Sequence, residues 1–141
     1  MSEPMQISLR KVGACAFELS DGRGHQVVID GPPSLGGADL GPRPMEMFLA
    51  SLATCSAVDV VMILNQQKHP LVDLRIEVTG RRVDAVPAVF EHILLRFTAV
   101  GDVPLHKLER AVKLSAEKYC SVARMLLPSV VVEHESAIAS E

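Results

Sequence analysis

A chain of 141 residues with a formal charge of −3 and a pI of 5.9 offers no clustered Lys and Arg surface of the kind that phosphate recognition needs, which excludes nucleic acid as a partner. Apolar residues make up 48%, yet aromatics are only 4% and Trp is absent, so one aliphatic core is expected in a single domain spanning residues 1–141. The start Met1-Ser2-Glu3-Pro4-Met5 has no basic region or apolar run of a signal peptide, and the apolar stretch from Met47 to Val58 is too short for a bilayer. A cytoplasmic protein without a membrane span is the expectation.

Residues 5–30 read as a three-stranded meander: Met5, Ile7 and Leu9 alternate with polar neighbours, Ala14–Leu19 follows a turn at Gly13, and Asp21-Gly22-Arg23-Gly24 turns into His25–Asp30. Gly and Pro dominate residues 31–43, a long loop of the sort that is often functional or mobile. Pro44 suits the first residue of a helix and Glu46 its first turn. The pattern predicts a helix from Met45 to about Gln67, apolar nearly all round and therefore buried. His69-Pro70 ends it.

Leu71–Val83 and Val89–Val100 alternate as two longer strands, joined through Asp84–Pro87 and paired antiparallel. Pro104 opens a second helix whose stripe is Leu105, Leu108, Val112, Ser115 and Tyr119. Ser121 is placed as the cap of a short helix through Leu127, and Val130–Glu133 as a closing strand before a polar tail. Strands and helices without alternating parallel units make the fold class α+β. One sheet and one amphipathic helix cannot cover a helix apolar on every side, so a second copy of the chain, a homodimer, is expected to supply the rest.

Three cysteines are too few and too odd in number for a disulfide scaffold. Cys15, between Ala14 and Ala16, reads as packing. Cys55 in the apolar helix and Cys120 after the amphipathic one are 120 − 55 = 65 residues apart. They read either as buried small hydrophobes or as a pair that the fold brings together for redox chemistry. The five histidines share no short ligand spacing with a cysteine, so neither metal nor other cofactor is expected.

Residues 44–56, ending in Thr54-Cys55-Ser56, and residues 114–123, around Tyr119-Cys120-Ser121, resemble the two cysteine motifs of the OsmC/Ohr family, the osmotically induced and organic hydroperoxide resistance proteins. The resemblance extends to residues 25–31 and to the order of elements, and is near the YhfA-like subgroup. It implies an intertwined homodimer with antiparallel sheets packed around two long helices and active sites at the subunit interface. Cys55 would attack an organic hydroperoxide, Cys120 would resolve the product as a disulfide, and a dithiol reductant of unknown identity would restore both.

Peroxidases of the family carry a Glu ten residues before the first cysteine and an Arg in the first hairpin. Here the tenth position back is Met45, Glu46 comes one residue late, and the hairpin at Gly13 has no Arg. Arg43 is the candidate replacement, with Arg10 and Arg23 behind it, so the expected catalytic set is Cys55, Cys120, Glu46 and Arg43. Asp59, one turn beyond Cys55, would disfavour a thiolate if both faced one pocket. Apolar walls from Phe48, Leu52, Met62 and Leu126 would suit an alkyl hydroperoxide. The rival reading is a non-catalytic or ligand-binding protein of the same fold that lacks the activating Arg and Glu.

Overall fold

The computed structural model describes residues 3–126 and 128–141. The chain divides into two compact units, Met1–Phe48 and Leu49–Glu141. The first holds the expected meander, β1 (Ser8–Lys11), β2 (Ala16–Ser20) and β3 (Gln26–Asp30), antiparallel in the order β1-β2-β3. Cys15 falls just before β2 instead of inside it, and its thiol donates to the Leu35 carbonyl at 2.8 Å. The register sets Leu9 opposite Leu19 and Leu19 opposite Val27, with Phe17 opposite Ile29, so these apolar side chains share one face.

The Gly- and Pro-rich loop is pinned at many points. It contains a 3-10 turn, Pro33–Leu35. Asp30, 1% exposed, accepts the amides of Ala38 at 2.9 Å and Leu40 at 3.2 Å on one carboxylate oxygen. The Ala38 amide does most to hold its pKa below the ordinary value, against the opposing effect of burial. A Cβ at Gly37 would overlap the Gly31 carbonyl, and one at Gly41 the Val28 carbonyl. Glycine is therefore required where the loop lies against β3.

Helix α1 (Pro44–Gln66) begins in the first unit and runs through the second. Pro44 occupies its first position, and Glu46 Oε1 accepts the Arg43 amide at 2.8 Å, the reciprocal half of a capping box. At the other end Lys68 adopts φ 61°; the amides of Lys68 and His69 donate to Asn65 and Leu64, a Schellman close. Its length and composition would allow a membrane crossing, contrary to the sequence-based expectation, because Asp59 interrupts the apolar run without interrupting the helix. The buried residues Leu52, Ala53, Ser56, Val60 and Leu64 form one stripe. Asp59 is bonded to a second helical segment, as in the core of a soluble protein.

In the second unit β4 (Asp73–Arg82) pairs antiparallel with β5 (Phe90–Val100), and β5 pairs parallel with β6 (Val131–Ala139). Ile93, Leu95, Phe97 and Ala99 are buried on the expected face of β5. The parallel pair was not expected; the residues between β5 and β6 form the crossover that parallel strands require. That crossover holds α2 (Leu105–Leu114), a π-turn (Ser115–Tyr119) and α3 (Ser121–Met125). Leu127, expected at the end of α3, lies outside the described residues. The fold is α+β, with two sheets and three helices among the described residues.

Candidate active site

Both cysteines of the expected pair lie in the second unit. Cys55 stands in the third turn of α1, half-buried; Cys120 follows the π-turn and is 4% exposed. The stripe of α2 is Leu108, Ala111, Val112 and Ser115, all buried, whereas Leu105 and Tyr119 are exposed. In a continuing α-helix Tyr119 would stand over Ser115. The π-turn adds a residue to the turn, so the Cys120 amide donates to the Ser115 carbonyl at 2.8 Å and Tyr119 is thrown outward.

Cys120 itself, not Ser121, caps α3: its sulfur accepts the Ala123 amide at 3.4 Å. Burial pushes the Cys120 thiol above its ordinary value. The Ala123 amide partly opposes this, while a hydrogen bond and the charge of a thiolate on Cys55 push it further up. Cys55 is thus near enough to add to the upward push on Cys120, behind the larger effect of burial.

Beside the thiols lies a polar cluster. Ser115, 0% exposed, has its hydroxyl 2.8 Å from Asp59 Oδ2 and 3.1 Å from the hydroxyl of Ser56, itself 2% exposed. A carboxylate only accepts, so the Ser115 proton goes to Asp59 and the Ser56 proton points to Ser115. Asp59 is thus engaged with Ser115, and no contact sets it against either sulfur. Sequence reasoning had counted Ser115 as core and missed its pairing. The available signal was Ser56 and Asp59 at i, i+3 in an otherwise apolar helix, a polar pair that needs a partner.

Asp59 also borders a cleft of about 190 Å³ with Met62, Ile63, Gln66 and Tyr119. Met62 lines this cleft, which takes in neither cysteine, whereas Leu52 is 1% exposed and belongs to the core. Arg43 and Glu46 are both exposed at the start of α1, joined by the capping bond. Glu46 and Cys55 are nine residues, two and a half turns, apart on one helix, which points them to opposite sides of it. Arg10 is paired with Glu18 at 3.3 Å and Arg23 with Asp21 at 3.0 Å. No cluster of three or more His, Cys, Asp or Glu able to hold a metal exists among the described residues.

Two thiols, one on a long apolar helix and one just after a π-turn, define a candidate dithiol site on an α+β scaffold. The family model described as OsmC-like protein matches residues 36–135, and the chain belongs to that family. It is 39% identical over 137 residues to Protein YhfA of Escherichia coli K12, covering 96% of this chain and 99% of that one. A hypothetical protein from Aquifex aeolicus has a structure with TM-score 0.87 at 31% identity, with 98% of each chain covered. The organic hydroperoxide resistance protein OhrB of Bacillus subtilis has TM-score 0.65 at 20% identity, covering 95% and 98%, a likeness of fold alone.

Proposed function

We propose that this protein is a thiol-dependent reductase of organic hydroperoxides, working through a Cys55–Cys120 dithiol–disulfide cycle in the oxidative stress response. What supports it is that Cys55 is near enough to Cys120 to raise its pKa, although the two are 120 − 55 = 65 residues apart. The family includes proteins named for organic hydroperoxide resistance. The half-buried Cys55 is the attacking thiol, because Cys120 is more deeply buried and its thiolate is disfavoured.

The Cys55 thiolate attacks the distal peroxide oxygen; the S–O bond forms, the O–O bond breaks, and the alkoxide leaves with a proton as an alcohol. Cys55 is then an uncharged sulfenic acid, so its charge no longer opposes ionisation of Cys120. The Cys120 thiolate attacks the Cys55 sulfur, the S–S bond forms, and the hydroxyl departs as water. A dithiol donor in the reducing cytoplasm returns both thiols. Arg43 and Glu46, the rest of the expected set, act on α1 itself by capping its start.

The same reading covers residues 1–141 as one functional domain in a homodimer. Val58, Val61 and Met62 on α1 are 53%, 38% and 53% exposed in the single chain, an apolar face that a second copy would cover. A non-catalytic OsmC-like protein is the second reading, favoured by Met45 at the family's Glu position and by the engagement of Arg10 and Arg23 with acidic partners. The deciding experiment incubates reduced protein with cumene hydroperoxide and follows peroxide and free thiols. Wild type should consume peroxide and form the disulfide, and Cys55→Ser should do neither. Consumption no faster than a simple thiol, without a disulfide, favours the second reading.

A further inference from the structure

We propose that Ser115, held by Asp59 and Ser56, is the positioning residue for the resolving thiol; the inference rests on the reading of Cys55 and Cys120 as a redox pair. Three observations converge on it. Ser115 is wholly buried, yet its hydroxyl is fully engaged, donating to Asp59 Oδ2 at 2.8 Å and accepting from Ser56 at 3.1 Å. Its carbonyl accepts the Cys120 amide at 2.8 Å, the bond that closes the π-turn. The two partners of its hydroxyl follow Cys55 on α1, one residue and one turn beyond it.

Ser115 therefore joins the two thiol-bearing segments next to each sulfur. Disulfide formation tolerates little error in separation or direction, and the π-turn could otherwise relax to α-helical geometry, which would carry Cys120 round the helix away from Cys55. A hydroxyl bonded to a half-buried carboxylate is a directional tie that an apolar residue of equal size lacks. The cluster sets the register of Cys120 against Cys55 without touching either sulfur.

The test is the thiol–disulfide equilibrium of the purified protein in buffers of reduced and oxidised dithiothreitol. Oxidised dithiothreitol is the oxidant: its S–S bond is reduced to two thiols as the Cys55–Cys120 bond forms, and the two cysteine protons pass to it. The readout is the effective concentration of Cys120 towards Cys55. Ser115→Ala and Asp59→Ala should lower it on the order of tenfold, the scale of one hydrogen bond to a charged acceptor. Asp59→Asn, whose amide oxygen still accepts from Ser115, should restore most of it.

With cumene hydroperoxide, a Cys55 sulfenic acid should persist long enough in Ser115→Ala to be trapped by dimedone. Wild-type effective concentration in both alanine variants overturns the positioning role while leaving the redox pair intact. Wild type that forms no intramolecular disulfide at any dithiothreitol ratio overturns the redox pair and the positioning role together. If Ser115→Ala does not fold, the Asp59→Ala and Asp59→Asn pair decides alone: equal values for the two count against the role.

Discussion

The uncovered face of α1 supplies the prediction with the largest lever. Val58 and Met62 are i, i+4 neighbours and each is 53% exposed in the single chain. Full burial of such a side chain is worth about 1.5–3 kcal/mol, so covering the remaining half contributes about 1 kcal/mol each. A twofold interface counts every contact twice, so replacing both residues with Lys removes about 4 kcal/mol of association energy. At 1.4 kcal/mol per decade this raises the dimer dissociation constant about a thousandfold. Repulsion between the new ammonium groups adds to the loss.

Sedimentation across a dilution series measures this directly. Wild type should sediment as a dimer and Val58→Lys/Met62→Lys as a monomer at the same concentration. Thr79→Lys, a change on an exposed position of β4, should leave the dimer intact. A wild type that stays monomeric at every concentration refutes the argument, as does a double variant that dimerises as tightly as its parent.

The raised Cys120 pKa has two consequences with opposite signs. Resolution of the Cys55 sulfenic acid should keep accelerating above pH 9.0, where an ordinary thiol levels off; quenched-flow trapping of the sulfenic acid follows it. The fold favours neutral Cys120, so that stability is fully present below the unfolded thiol pKa and falls as pH rises towards the folded one, a decline that Cys120→Ser should lack in alkaline melts. Asp21 is lowered from 3.8 to about 2, chiefly by the Arg23 amide, with help from His25. Its contribution is present above pH 3.8 and lost as pH falls through about 2, so the melting difference between wild type and Asp21→Asn should vanish on acidification. Gly80→Ala places a Cβ 2.6 Å from Phe90 Cε1 and 3.1 Å from Leu49 Cδ2; overpacking of about 1–3 kcal/mol is expected. Thermal melting at the parent temperature would show that the ring gives way.

The start and end of α1 were legible because their signals are local: a proline at the first helical position, a glutamate two residues on, and a proline shortly after the close. The face of β5 was legible because its alternation is strict. The end of β6 was not. Residues 134–139 look like a polar tail, yet they continue the strand: Glu133 reaches His92 at 3.4 Å and Glu135 reaches Arg96 at 2.9 Å on the neighbouring strand. Those partners lie some forty residues earlier in the chain, outside any window that reads periodicity. The expectation of a thiol pair came from two motifs, but the shape of the segment before Cys120 was hidden, since a π-turn leaves no mark in an apolar pattern except a stripe that fails at Tyr119. Ser115 escaped because a lone serine in a stripe costs little and attracts no notice until its partners are seen.

The π-turn also bears on how such a site could arise or vanish. It is a helical turn with one residue more than its neighbours. Deleting one residue between Ser115 and Cys120 would let the helix run on in ordinary geometry, with every side chain of the dithiol centre still encoded. The cysteine would then be the fourth residue after Ser115 and would stand over it on the same face. Three nucleotides would thus remove the bulge and leave both cysteines in the chain.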